Sequence, residues 1–88
     1  MLRLTRTTPN PDEVILVLEG RLYGEWVELL EDECAQLLGT ERRVLLDLAS
    51  LSFVDRRGAR LLRDLAMGRV SLINCPPLVD ELVREDAS

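Results

Sequence analysis

Histidine and lysine are both absent from the 88 residues of this chain. Without histidine no side chain ordinarily titrates near neutral pH, and Ser-His-Asp, Cys-His and HExxH arrangements are excluded. Without lysine, neither a P-loop nor a Schiff base can form. Aromatic residues are nearly missing too: Tyr23, Trp26 and Phe53 are the whole set, which leaves little to stack on bases. The two cysteines, Cys34 and Cys75, stand far apart with no CxxC partner, so they read as ordinary reduced thiols and not as zinc ligands. The longest aliphatic run, Val14 to Leu18, is far too short to span a bilayer, and Arg3 and Arg6 interrupt any secretory hydrophobic region after Met1. Together these gaps predict a non-enzymatic, cytoplasmic chain with no metal, no cofactor and no membrane insertion.

What is present is aliphatic mass, carboxylate and guanidinium. Hydrophobic residues make up 47% and charged residues 31% of the chain, the balance of a single domain spanning residues 1–88 with an acidic tail at 85–88 free to fray. All 11 basic residues are arginine, set against 16 acids for a net charge of -5. That balance disfavours nucleic acid as a partner.

Hydrophobic periodicity divides the chain into alternating strands and helices. Leu2 to Thr7 alternates apolar with polar, and Pro9 to Asp12 enforces a turn. Val14 to Leu18 is continuous and β-branched, as expected of a strand covered on both faces, with Gly20 marking its end. From Glu25 to Leu38 the period becomes helical. Trp26, Val27, Leu30, Cys34, Leu37 and Leu38 share the buried arc, while Glu25, Glu28 and Asp32 form an acidic arc read as solubilising. Val44 to Leu48, continued by Leu51, Phe53 and Val54, predicts a central strand. Asp55 stands where an N-cap belongs, and its removal is expected to cost about 1 kcal/mol. Ala59, Leu61, Leu62, Leu65 and Ala66 then make the buried arc of a second helix. Val70 to Ile73 reads as a last strand. Pro76 and Pro77 fit the first turn of a final helix with Leu78, Val79, Leu82 and Val83 on one side. The predicted order is ββαβαβα, an α/β fold with a mixed, mostly parallel sheet, amphipathic helices and right-handed crossovers.

The turn Asp55-Arg56-Arg57-Gly58 breaks two local rules. Helix starts favour anions over arginine, and glycine in a first turn costs roughly 0.5 to 1 kcal/mol against alanine. Arg56, Arg60 and Arg63 fall within about 60° of one another around the helix, a cationic ridge opposite the packed face. Such a ridge suits carboxylate or phosphate groups, and the small residue at 58 is read as permitting close approach by another molecule.

The run Val44 to Leu62, VLLDLASLSFVDRRGARLL, resembles the central segment of STAS domains, the fold of bacterial anti-sigma-factor antagonists: an aliphatic strand, then F-V-D-x-x-G, then an amphipathic helix. Val14 to Leu22, VILVLEGRL, is similar to the family's second strand and following turn. Val70 to Val83, VSLINCPPLVDELV, is similar to its last strand and helix. The resemblance implies a partner-switching module. In it a serine directly after the motif aspartate is phosphorylated by an anti-sigma factor with kinase activity, and the unmodified form sequesters that kinase. Here Arg56 takes the place of that serine and Arg57 follows, so the usual acceptor hydroxyl is missing. Ser50 and Ser52 lie upstream with nothing to mark them as substitutes.

The leading expectation is therefore a STAS-type protein-interaction module in bacterial signalling. Its partner-binding residues are Asp55, Arg56, Arg57, Gly58, Arg60 and Arg63, with Leu22 and Tyr23 in the neighbouring loop. Its partner is an anti-sigma factor of the serine-kinase kind. One alternative is an accessory subunit of an ABC-type lipid transporter, docked on an ATPase subunit. Another is nucleotide or small-ligand binding at the Asp55 to Gly58 turn, although no glycine-rich phosphate cradle is present.

Overall fold

A computed structural model describes residues 1–85. Its elements are β1 (Leu2–Asn10), β2 (Glu13–Leu22), α1 (Glu25–Leu38), β3 (Arg43–Val54), α2 (Arg56–Met67), β4 (Val70–Ile73) and α3 (Pro77–Glu85). The order is the ββαβαβα predicted. Glu85 closes α3, and the rest of the expected frayed tail lies outside the described residues. No helix among the described residues is long and apolar enough to cross a membrane.

The sheet runs β1-β2-β3-β4, with β1 antiparallel on the edge and β2, β3 and β4 parallel. Each step from β2 to β4 moves one strand over in the same direction. Right-handed crossovers made twice in one direction place both connecting helices on the same face of the sheet. The burial pattern records the result: Val14, Leu16 and Leu18 of β2 and Val44, Leu46 and Leu48 of β3 are buried, while the alternating Ile15, Val17 and Leu45 are half-buried and lie outside the core cluster. The expectation of strands covered on both faces is thus corrected. A continuous apolar run tells that a strand is central, but the number of layers follows from strand order.

Two strands run past their predicted ends. β1 continues through Pro9, which an edge strand tolerates because one row of its donors needs no partner, and the turn tightens to Pro11 and Asp12, where the Asp12 N–H donates to Asn10 Oδ1 at 2.9 Å. β2 passes through Gly20 instead of stopping there. Gly20 has φ +106°, a conformation side chains rarely adopt, and a Cβ on it would strike the Met1 carbonyl. The Arg21 N–H donates to that carbonyl at 3.0 Å. The glycine bends the strand without ending it, so that Leu22 reaches the core.

The helices bury the arcs expected of them with two exceptions. On α1, Val27, Leu30, Cys34 and Leu37 are buried, and Trp26 and Leu38 pack at the margin. On α2 the buried set is Gly58, Ala59, Leu61 and Leu62, with Ala66 exposed in the last turn. On α3, Val79 enters the core while Leu78 points to water. Burial, followed by the neighbouring charge of Glu33, pushes the Cys34 thiol up to about 11, so this cysteine packs as a small apolar residue and is not a nucleophile.

Candidate functional site

Asp55 lies between the end of β3 and the start of α2 as the helix N-cap, and its carboxylate closes two turns at once. Oδ1 accepts from the Gly58 N–H at 2.7 Å, the N-cap bond predicted for it. Oδ2 accepts from the Gly24 N–H at 3.0 Å, on the turn between β2 and α1. The backbone agrees, since the Asp55 N–H donates to the Leu22 carbonyl at 3.0 Å. Gly24 holds φ +56°, which aims its N–H at the carboxylate. The second bond was not foreseen, because Gly24 and Asp55 are 31 residues apart and only strand pairing brings them together.

Gly58 explains itself within the same corner. A Cβ there would lie 3.0 Å from the Leu22 carbonyl oxygen, 3.1 Å from Leu22 Cγ and 3.2 Å from Asp55 Oδ1. The close approach that the glycine permits is by β2 of the chain itself. Both Gly58 and Leu22 are buried, Leu22 completely, so neither offers surface to a partner. They are corrected from docking residues to positioning ones. Gly58→Ala is expected to lower stability by about 1 to 2 kcal/mol despite its better helix propensity, because the Leu22 carbonyl is held by the Asp55 N–H and cannot withdraw. A thermal midpoint at or above that of the natural chain would show that the corner is looser than these contacts imply.

Four arginines surround this rigid corner. Arg56 is exposed on the first turn of α2, and among the described residues no hydrogen bond or ion pair to its side chain is found. Arg57 bridges to Glu28 of α1 at 3.3 Å, both side chains well exposed. Arg60 is exposed and Arg63 half-buried, and both are engaged within the chain. Tyr23 is 41% exposed on the β2–α1 turn, where the Met1 ammonium donates to its hydroxyl at 3.5 Å. Phe53, on the strand end beside it, is similarly open. Exposed ion pairs of this kind are worth little, so the Glu28 contact orients Arg57 more than it removes its charge from reach.

The same geometry weighs against a phosphate at the turn. An anion approaching the first N–H groups of α2 would meet the Asp55 carboxylate already bonded to Gly58 N–H, a like charge in the place it must occupy. Ser52, one of the two upstream hydroxyls, donates to the Gly20 carbonyl at 2.9 Å. Among the described residues no group of three or more His, Cys, Asp or Glu side chains is arranged to hold a metal.

The family model for the STAS domain matches residues 4–77. The chain belongs to the STAS domain family. The corner just described is the F-V-D-x-x-G segment of this STAS domain: its aspartate caps and cross-links, its glycine admits β2, and the residues between them face water. Among solved structures, this STAS domain is similar to the unphosphorylated form of the anti-sigma factor antagonist SpoIIAA, with a TM-score of 0.66 at 21% identity over 93% of this chain and 82% of that one. It is also similar to a protein called Mglu, with a TM-score of 0.68 at 25% identity over 83% of this chain but only 19% of that much longer one. A third neighbour is an uncharacterized DUF3478-family protein with a SpoIIAA-like fold from Shewanella loihica PV-4, with a TM-score of 0.60 at 18% identity over 96% and 75% of the two chains. No curated protein matches the sequence. The predicted fold, an anti-sigma-factor-antagonist-like α/β domain, is the one observed.

Proposed function

We propose that this STAS domain is a cytoplasmic, non-enzymatic protein-interaction module in bacterial signalling, which docks a partner bearing acidic groups and is not switched by phosphorylation at the corner. Arg56 makes the central contact. Arg57, Arg60 and Arg63 extend the cationic surface, Tyr23 borders it, and Asp55, Gly58 and Leu22 hold it in place. The observation that carries this reading is an exposed guanidinium on a turn pinned by the two bonds of Asp55, at the position where the resemblance implies a phosphorylated serine. A phosphoserine adds charge of about -1.5 to -2 at a helix start and arginine adds +1 permanently, so the partner surface must be complementary to cation. The partner that best fits the family resemblance is an anti-sigma factor of the serine-kinase kind.

Affinity capture from native lysate, with the natural chain and Arg56→Glu side by side, is the test. The natural chain is expected to retain such a partner, and the variant to bind it at least about tenfold more weakly. Identical capture by both would remove Arg56 from the interface. Recovery of an ATPase subunit of a membrane transporter in place of an anti-sigma factor would replace this reading with the transporter role.

A further inference from the structure

We infer that the outward faces of α1 and α2 form a self-complementary surface that pairs with a second copy of this chain. The two helices lie side by side on the sheet, joined by the Arg57–Glu28 contact, yet carry opposite charge. α1 holds five carboxylates, Glu25, Glu28, Glu31, Asp32 and Glu33, and no basic residue. α2 holds four arginines against the single acid Asp64.

Each outward face also carries an apolar anchor. On α1, Glu25, Trp26, Glu28, Leu29 and Asp32 line a shallow, open groove along the one helix, and Leu29 is 45% exposed. On α2, Met67 lies one helical step beyond Arg56, Arg60 and Arg63, in line with them at i, i+4, i+7 and i+11, and it is 74% exposed. Arg56, Arg60 and Arg63 are the charge complement of Glu25, Glu28 and Asp32, and Arg60 and Arg63 exchange contacts within the chain to meet them. A twofold axis running along the helices and between them sets Arg56, Arg60 and Arg63 level with the other copy's Glu25, Glu28 and Asp32, with Met67 beyond the groove and level with Gln36, and both contacts form together in a closed pair. Two helices of 14 and 12 residues present a face of about 20 × 20 Å. Pairing it buries on the order of 1,000 Å² in total, the low end for specific interfaces, so the dimer is weak and concentration-dependent.

The dimer and the partner proposed above share Arg56 and Arg60 and exclude one another. The inference does not rest on that partner, because it is measured on the purified chain alone. Sedimentation over a concentration series at fixed ionic strength is expected to show monomer passing to dimer. One variant, Glu25→Arg with Asp32→Arg, turns the outward trio of positions 25, 28 and 32 on α1 net positive while α2 stays basic. The other, Arg56→Glu with Arg60→Glu, turns the ridge of positions 56, 60 and 63 on α2 net negative while α1 stays acidic. Each is expected to lose at least about tenfold in self-affinity, and an equimolar mixture to recover a heterodimer. Each double reversal moves the net charge by four from the natural -5, to -1 and to -9. Recovery in the mixture therefore cannot come from attraction between bulk charges, and the nearly neutral variant would pair more readily than the natural chain if bulk repulsion governed. Far-UV circular dichroism checks that each variant folds, and the single Asp32→Arg replaces the first if it does not. A natural chain that stays monomeric, reversal variants that dimerise as it does, or a mixture that stays monomeric would each overturn the inference.

Discussion

Asp55→Ala is expected to destabilise the domain by about 2 to 3 kcal/mol, well beyond the cost of an ordinary helix cap. The cap alone is worth about 1 kcal/mol. The same substitution strips the acceptor from the half-buried Gly24 N–H, 3.0 Å from Oδ2, and an orphaned donor away from water costs a further 1 kcal/mol or more. In a domain of this size that loss lowers the thermal midpoint by about 10 to 20 °C. Asp55→Asn separates the two contributions. Its one carbonyl oxygen can serve Gly58 or Gly24 but not both, so the loss should fall about midway. Equal midpoints for Asp55→Asn and the natural chain would show that only one of the bonds matters. Because the carboxylate ties the turn carrying Tyr23 to the turn carrying Arg56, loss of Asp55 should also weaken any partner bound there without removing a contact.

Leu22→Ala is expected to cost about 3 kcal/mol, within the range for truncating a leucine in a packed interior. Leu22 is fully buried, and its backbone and side chain form the wall against which Gly58 rests. The cavity would open beneath the first turn of α2, where the Asp55 bonds hold the backbone and prevent collapse onto the space. Chemical denaturation would register the loss as a lower midpoint with unchanged slope. If Leu22 were a docking residue, its truncation would leave stability nearly intact and reduce partner binding alone. That result would reverse the assignment made from its burial.

The fold is strongly legible in the sequence because its signals are local. The switch from period 2 to period 3.6 at Glu25 marks α1, and Asp55 at the N-cap position ahead of the apolar arc from Ala59 to Leu65 marks the start of α2. Aliphatic runs mark β2 and β3. Where the reading ran short, a backbone feature with no compositional signature intervened. Gly20 looks like a strand terminator until the Met1 carbonyl is seen packed against it, and Trp26 fits the buried arc of α1 but borders an open groove. The candidate site was legible as a list of residues and not as a division of labour. Gly58 is grouped with the arginines by proximity in sequence and Leu22 by the expected neighbouring loop, whereas burial separates those that position the corner from those that face water.

The sequence by itself determined the order of elements, the faces on which they are apolar, the capping aspartate and the arginine where a hydroxyl would otherwise stand. All of these depend on residues a few positions apart. Only the tertiary structure decided that the sheet is covered on one side, that Asp55 reaches across to Gly24, and that an acidic helix lies beside a basic one. Periodicity states which side of an element avoids water, but strand order and crossover direction select the neighbour that covers it, and those are fixed by contacts between distant parts of the chain.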